Sequence, residues 1–319
     1  MKKIMKWAIV CPGLLVIVLT LMIIFGGGVP PPPLRSVINV VATVDQSDLP
    51  PISRYLARDN VELAYRAYPA SSDKIAILIH GSSGSSVDIH ALGRALSRSG
   101  ITALALDIRG HGSSGTRGDI RYVGQLEDDL ADFVAYLRKT YPHAPITLIG
   151  HSSGGGFALR IAGSPINHLF SQYILIAPYL RHDAPTSRPD SGGWVKPYIM
   201  RIIALSILHR IRIDWFSGLP VLAFALPENA KATRTYSYRL FVDFRPDDDY
   251  LGDFRRSNAP ITILGGKNDE IFNADKYEIA LKSVQEHVHI EIIPGVGHMG
   301  MVSDPIALKE IVRVCAAGR

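Results

Sequence analysis

Cysteine is nearly absent from this chain of 319 residues. Its two cysteines are Cys11, in an apolar N-terminal run, and Cys315, near the C-terminus. Their separation fits neither a metal site nor a redox pair, and two residues make no disulfide framework. The fold must therefore depend on a hydrophobic core, which 47% apolar residues can supply.

A strong charge of either sign is also missing. The formal net charge is +5, and Lys2, Lys3 and Lys6 supply three of those charges, which leaves +2 for the rest of the chain. This balance gives no support to a nucleic-acid partner. The length and composition fit one large α/β domain with an insertion, or two small domains, and not a disordered chain.

Charged residues are absent from Trp7 to Leu34, where WAIVCPGLLVIVLTLMIIF is almost continuously apolar. That length suffices for a helix to cross a bilayer, and the preceding lysines predict a cytoplasmic N-terminus with the rest of the chain on the extracytoplasmic side. We therefore predict a transmembrane anchor or uncleaved signal at 1–29 and a proline-rich linker at 30–50. A cleaved signal peptide, which would give a secreted protein, is the competing interpretation.

Seven segments with strand patterns predict the fold of residues 51–319. They lie at 61–68, 74–81, 101–110, 145–152, 172–178, 260–266 and 288–295. The last six lack polar alternation, so they fit strands covered on both faces in a mostly parallel sheet. Helical patterns lie between them, which indicates the α/β class.

Smaller features complete this prediction. Asp59 and Asn60 form a plausible hairpin turn before the first segment, and Ser303 is the predicted cap of a last helix that has Pro305 in its first turn. The interval at about 181–258 is much longer than a crossover needs, so we predict an inserted helical lid there.

Ser152 lies in Gly150-His151-Ser152-Ser153-Gly154, the only GxSxG match in the chain. Catalytic groups collect at the carboxyl ends of strands in an α/β sheet, and this pattern joins a predicted strand to a predicted helix. A sharp turn there would hold the serine in a strained conformation, with glycines beside it to avoid clashes. We predict Ser152 to be a nucleophile; the other interpretation is a glycine-rich structural corner.

A serine nucleophile needs a base, usually a histidine oriented by a carboxylate. Of eleven histidines, His298 lies in the loop PGVGHMG directly after the last strand. His80 and His111 also follow strands but lie in tight turns, where structural hydrogen bonding is the better interpretation. We therefore predict His298 as the base.

The orienting carboxylate should follow another strand. Asp269 follows the second-to-last strand by a short loop; Glu270 is adjacent but would point differently, and Asp183 is the second candidate. The order Ser152, Asp269, His298 is the order expected of an α/β-hydrolase triad.

An oxyanion formed during catalysis also needs hydrogen-bond donors. In this geometry one donor is the backbone N–H of the residue after the nucleophile, Ser153. The second should come from the loop ILIHGSSGSS after an early strand, with Ser82 as the predicted contributor. A merely flexible turn is the other interpretation of that loop.

Taken together, these residues resemble the α/β-hydrolase superfamily, and within it the monoacylglycerol lipase and lysophospholipase-like branch. The resemblance rests on HGSSG at 80–84, LDIRGHGSSG at 106–115, GHSSG at 150–154, the GGKND loop and the GVGH loop. It implies ester hydrolysis through an acyl-enzyme, in which Ser152 attacks, His298 transfers the proton and Asp269 holds the imidazole. It calls for neither a metal nor an organic cofactor.

The apolar N-terminal segment and a lid that carries Arg201, Arg210 and Arg212 suggest a lipid-like acyl ester, with the arginines near a phosphate or headgroup. The same triad also serves acyl transfer, thioester cleavage and carbon–carbon bond hydrolysis. Epoxide and haloalkane hydrolases are disfavoured because they place aspartate where this chain has Ser152. A noncatalytic, membrane-tethered binding protein on the same fold remains a further interpretation.

Overall fold

The computed structural model describes the backbone of residues 2–35 and 45–318, and the side chains of residues 13–35, 45–189 and 191–318. The predicted linker at 30–50 therefore lies partly outside the described residues. The strands of the central sheet are β1 (Ile52–Leu56), β2 (Glu62–Tyr68), β3 (Ile75–Ile79), β4 (Thr102–Leu106), β5 (Ile146–His151), β6 (Gln172–Ile176), β10 (Ile261–Gly266) and β11 (Val288–Ile293).

The sheet has the strand order β1-β2-β4-β3-β5-β6-β10-β11. From β4 to β11 all neighbours are parallel, whereas β1 and β2 pair antiparallel, as do β2 and β4. The predicted mostly parallel sheet is thus confirmed. Strand β1 was not predicted because ISRYL is a short, half-exposed edge strand without a continuous apolar run.

The helices are α1 (Lys2–Phe25), α2 (His90–Arg98), α3 (Gln125–Leu137), α4 (Ser153–Gly163), α5 (Ile199–Arg210), α6 (Tyr238–Asp243), α7 (Tyr250–Arg256), α8 (Tyr277–Ala280) and α9 (Pro305–Ala317). Asp304 caps α9, since its side chain accepts the N–H of Ile306 at 2.8 Å. The predicted cap, Ser303, instead donates its hydroxyl to the carbonyl of Met299.

Helices cover both faces of the sheet, and strand β3 shows how its side chains divide between them. Ile75, Ile77 and Ile79 belong to the core on the side of α3 and α4. Ala76 and Leu78 belong to the core on the side of α2 and α9. Because alternate residues of a strand point to opposite faces, a strand buried on both sides must be apolar throughout.

The insertion between β6 and β10 contains α5, α6 and α7 and a second, antiparallel sheet. Its strands are β7 (Val195–Pro197), β8 (Pro220–Phe224) and β9 (Thr235–Ser237), in the order β7-β8-β9. The insertion predicted as a helical lid therefore contains a small sheet as well as helices. The middle strand, PVLAF, is mostly buried, so its short apolar run forms a covered strand and not one face of a helix.

The N-terminal helix α1 lies against this insertion. Leu19 and Ile23 are buried with Ala204 and Leu205 of α5, and Arg201 donates from Nε to the carbonyl of Ile23 at 2.9 Å. Among the residues that the structure describes, no helix is both long enough and apolar enough to span a membrane. The side chains of residues 2–12 lie outside that description. The predicted transmembrane anchor at 1–29, and the single-pass topology built on it, therefore have no support.

Candidate active site

Ser152 occupies a sharp turn between β5, which ends at His151, and α4, which begins at Ser153. Its backbone has φ +56° and ψ −119°, a region that residues with a side chain rarely adopt. A Cβ on Gly150 would strike the carbonyl of Gly154, and one on Gly154 would strike the carbonyl of His80. The turn therefore has the strained geometry that the GxSxG pattern predicts, and close backbone contacts explain its glycines.

Asp269 and His298 form a hydrogen bond, with 2.8 Å between Oδ2 and Nδ1. Both side chains are buried. Burial would raise the pKa of the Asp269 carboxyl, but the hydrogen bond from His298 and those from the backbone N–H groups of Phe272 and Ile271 hold this pKa below its usual value. Asp269 is therefore ionised at neutral pH and can stabilise a protonated imidazole.

The other carboxylates weighed for this role lie elsewhere or do something different. Asp183 pairs with Arg181 at the surface. Glu270 binds the main chain of the histidine, since its Oε2 accepts the backbone N–H of His298 at 2.9 Å. This contact of Glu270 has no signal in the sequence other than its position beside Asp269.

His151 joins the histidine loop to the turn that carries Ser152. Its Nε2–H donates to the carbonyl of His298 at 3.2 Å, and the two ring centroids are 4.8 Å apart. Burial, assisted by the neighbouring His298, lowers the pKa of His151 to about 3. The His151 ring is therefore neutral. Its hydrogen bond holds the His298 loop against the turn that carries Ser152.

The predicted oxyanion donors belong to two segments at Ser152: Ser153 follows it directly, and Ser82 lies in the loop after β3. The loop after β3 approaches closely enough that a Cβ on Gly81 would lie 3.2 Å from the Ser152 Cβ. Within the described part of the chain, the backbone N–H groups of Ser82 and Ser153 have no hydrogen-bond acceptor. Both groups are therefore available to a developing oxyanion.

The histidines in the two tight turns are held by hydrogen bonds. His80 donates from Nδ1 to the Gly81 carbonyl at 2.7 Å and accepts the N–H of Ile108 at Nε2. His111 lies with Nε2 2.6 Å from the hydroxyl of Tyr236 in the insertion. Burial lowers the pKa of both rings, so neither carries charge at neutral pH.

Apolar side chains pack beside the imidazole of His298. The Phe272 ring contacts the His298 ring edge to face at 5.3 Å. Ile271 and Phe272 form a small cluster with Leu34, Trp194 and Met299, among others. Leu34 therefore brings the N-terminal segment to the candidate site, a contact for which the sequence carries no signal.

The lid arginines do not line this cluster. The Arg201 guanidinium donates hydrogen bonds to the backbone carbonyls of Ile23, Ile24 and Pro220, whereas Arg210 and Arg212 are exposed. Three of the five N–H groups of Arg201 thus donate to backbone carbonyls, and the headgroup role of the lid arginines stays a prediction. In the part of the chain with described side chains, no cluster of His, Cys, Asp and Glu is arranged to hold a metal ion.

Curated relatives resemble part of the chain. A monoglyceride lipase of Rattus norvegicus is 29% identical over 137 residues, which cover 42% of this chain and 43% of the relative. A monoacylglycerol lipase of Mycolicibacterium smegmatis is 28% identical over 127 residues, which cover 39% of this chain and 45% of the relative. The chain thus spans less than half the length of the curated relatives it matches.

Solved structures resemble more of it. A monoacylglycerol lipase of Paleococcus ferrophilus superposes with a TM-score of 0.61 at 18% identity, over 81% of this chain and 99% of that one. A soluble variant of a Saccharomyces cerevisiae monoglyceride lipase, in complex with a substrate analogue, gives 0.60 at 17% identity, over 86% and 96%. At such identities the likeness shows the α/β-hydrolase fold alone.

A family model decides the affiliation. Hydrolase_4, described as serine aminopeptidase, S33, matches residues 70–305, which include the turn at Ser152 and the loops of Asp269 and His298. The resemblance to α/β-hydrolases of the monoacylglycerol lipase-like branch, predicted from the motifs, is thereby confirmed. The chain belongs to the Hydrolase_4 family of the α/β-hydrolase superfamily.

Proposed function

We propose that this protein is a serine hydrolase that cleaves carboxylic esters of lipid-like acyl groups. The observation that carries the proposal is the Asp269–His298 hydrogen bond, in a loop packed against the strained turn of Ser152. An ionised carboxylate, an imidazole and a serine on a sharp strand-to-helix turn are the parts that acyl transfer to serine requires. Membership of a serine-hydrolase family supports the same chemistry.

In the proposed mechanism, Ser152 Oγ attacks the ester carbonyl carbon while His298 Nε2 accepts the hydroxyl proton. Asp269 holds the opposite side of the ring and stabilises its positive charge. The tetrahedral oxyanion accepts hydrogen bonds from the N–H groups of Ser82 and Ser153. Its collapse releases the alcohol, which takes the proton from His298. Water then attacks the acyl-enzyme, again with His298 as the base, and the carboxylic acid leaves.

The substrate class is inferred from the surroundings of this site. Leu34, Trp194 and Met299 cluster with Ile271 and Phe272, and Phe272 contacts the catalytic imidazole. Such a wall favours an apolar acyl group over a charged one. The relatives named monoglyceride lipase and monoacylglycerol lipase support acylglycerols as the first substrates to test.

Labelling with a fluorophosphonate probe tests the chemistry. The wild-type protein should be labelled, Ser152→Ala should not be, and Ser164→Ala, at the other end of α4, should be labelled as the wild type is. A folded wild-type protein without labelling would refute the proposal and favour a noncatalytic binding protein.

A substrate panel tests the class. It should contain esters of graded acyl length, a monoacylglycerol and a lysophospholipid, and we expect turnover to rise with acyl length. Hydrolysis of short soluble esters alone would refute the lipid-like assignment. The panel should also contain thioesters and alcohol acceptors. Thioester cleavage or acyl transfer is the reaction if its rate exceeds that of ester hydrolysis.

An aminopeptidase is the second candidate, because the matching family model is described as a serine aminopeptidase. The same nucleophile and base would then act on an amide bond. Aminoacyl anilides belong in the panel for this reason. Their cleavage at a higher kcat/KM than any ester would replace the ester-hydrolase proposal.

A further inference from the structure

The insertion binds the loop after β3 through three hydrogen bonds. Trp194 donates from Nε1 to Ser82 Oγ at 2.9 Å. The hydroxyl of Tyr236 accepts the backbone N–H of Ser83 at 2.8 Å, and the backbone N–H of Thr233 donates to the Ser83 carbonyl at 3.1 Å. The insertion thus contacts the loop that carries the Ser82 donor from two separate stretches of chain.

Ser83 needs this support because of its backbone conformation. Its φ is +66°, in the left-handed region that favours glycine, although the residue carries a side chain. Its own hydroxyl is buried and has no hydrogen-bond partner in the part of the chain that the structure describes. The hydroxyl therefore makes no hydrogen bond that would hold this conformation, whereas the insertion binds both the N–H and the carbonyl of the residue.

Tyr236 can accept from Ser83 only if its own proton points elsewhere. His111 provides the acceptor, with Nε2 2.6 Å from the tyrosine oxygen. The His111 ring is buried and neutral, and its Nδ1 faces the Arg109 carbonyl at 3.4 Å, so Nδ1 carries the proton and Nε2 the lone pair. The Tyr236 hydroxyl therefore donates to His111 and keeps its lone pairs for the Ser83 N–H.

We propose that Tyr236, oriented by His111, is a positioning residue for the oxyanion hole. By binding the Ser83 N–H it fixes the peptide between Ser82 and Ser83, and this peptide sets the direction of the neighbouring Ser82 N–H. The insertion is thus part of the catalytic apparatus and not only a cover over the site. This inference rests on the proposed function, because it assigns Ser82 to the oxyanion hole of a serine hydrolase.

Tyr236→Phe is the central test, since it keeps the ring and removes only the hydroxyl. The oxyanion forms after substrate binds, so we expect kcat to fall about 10- to 100-fold with KM within twofold of the wild type. The affinity for a trifluoromethyl ketone, which forms a tetrahedral oxyanion on the serine, should fall by the same factor as kcat/KM.

Tyr238→Phe is the matched control, two residues further along the insertion. The Tyr238 hydroxyl bonds Ser206 Oγ within the insertion and touches neither loop of the site. We expect its kcat within twofold of the wild type. An equal loss in both variants would mean that the insertion is generally destabilised, and it would overturn the inference.

Ser83→Gly tests the role of the strained backbone. Glycine adopts a positive φ without a steric penalty, so Ser83→Gly combined with Tyr236→Phe should recover at least fivefold in kcat over Tyr236→Phe alone. A combined variant no better than Tyr236→Phe would contradict the proposed link. Ser83→Gly by itself should raise the thermal midpoint, a measurement that does not depend on the folding of Tyr236→Phe.

The outcomes separate this inference from the proposed function. If Ser152→Ala is inactive and unlabelled but folded Tyr236→Phe keeps kcat within twofold, the inference is wrong and the proposed function stands. If Ser152→Ala retains activity, the proposed function itself has failed, and the oxyanion assignment with it.

Discussion

Glu270 accepts the backbone N–H of His298 at Oε2, over 2.9 Å. The preceding residue, Asp269, accepts from the imidazole of the same histidine. Two consecutive carboxylates therefore hold the main chain and the side chain of His298, one each. The loop of Asp269 and Glu270 follows β10, and the loop of His298 follows β11. These two contacts therefore fix the two loops relative to each other.

Glu270→Ala and Glu270→Gln test this contact. Alanine leaves the N–H of a buried residue without its acceptor and lets the loop move, and a displacement of about 1 Å from the reacting geometry can cost about 100-fold in rate. We expect kcat to fall about 10- to 100-fold in Glu270→Ala and less than threefold in Glu270→Gln, which keeps an acceptor oxygen. Steady-state kinetics decides this; equal losses would show that the charge matters and not the hydrogen bond.

Asp269→Asn should be far more damaging. The amide keeps the shape of the side chain but favours the wrong tautomer of His298, and such a change typically lowers kcat by about 10⁴-fold. Asp183→Asn is the matched control, because Asp183 pairs with Arg181 at the surface. We expect the control to keep kcat, and a comparable loss in the two variants would remove Asp269 from its proposed role.

The sheet was accessible to sequence reasoning because each parallel strand is apolar on both faces. An uninterrupted run such as IAILI is fully buried, and its pattern needs no knowledge of its neighbours. The turn at Ser152 was accessible for a related reason, since strand, glycines, serine and helix are consecutive. Both signals are local, so one sequence suffices to read them.

The contacts between the insertion and the site had no such signal. Tyr236 and Ser83 are 153 positions apart, and Trp194 and Ser82 are 112 apart. Nothing near Tyr236 distinguishes it from an ordinary strand tyrosine, because its role depends on where the insertion folds back. The contact of Leu34 with the cluster around Phe272 was hidden in the same way.

Replacing Arg109, in the RGHG element, should lower the stability of the protein strongly. It is 5% exposed and donates to both Asp129 and Asp59. Arg109→Met removes the cation that pairs with the buried Asp129 and leaves Asp59 with Arg121 at 3.9 Å. Removing one partner of a buried ion pair costs about 3–5 kcal/mol. Urea denaturation should show this fall in the free energy of unfolding. The control Arg58→Met removes an arginine that is 49% exposed, for which about 0–1 kcal/mol is expected; similar losses would contradict a buried structural role for Arg109.

The buried ring of His151 should make the stability of the protein depend on pH. Its pKa falls from 6.5 to about 3 on burial, so between these values the unfolded chain binds a proton that the folded protein does not. The free energy of unfolding must therefore decrease as the pH falls through this window, by up to about 1.4 kcal/mol per pH unit for this one group. Urea denaturation between pH 4.5 and 7.5 should give a shallower slope for His151→Asn than for the wild type. An identical slope would show that the ring is protonated in the folded state.

At Ser152, the proposed nucleophile, we expect the replacement that favours stability to abolish activity. Alanine keeps the Cβ at φ +56°, whereas glycine adopts that conformation freely, so replacing the serine by glycine relieves strain that the alanine variant retains. Both variants should be inactive, but we expect Ser152→Gly to exceed Ser152→Ala in free energy of unfolding by about 1 kcal/mol, after allowance for the greater freedom of glycine in the unfolded chain. Ser164, with φ −90°, is the control and should show the opposite order, because there glycine only loses entropy on folding. If Ser152→Ala were more stable than Ser152→Gly, the turn would not be strained. Packing alone would then explain the glycines beside the serine.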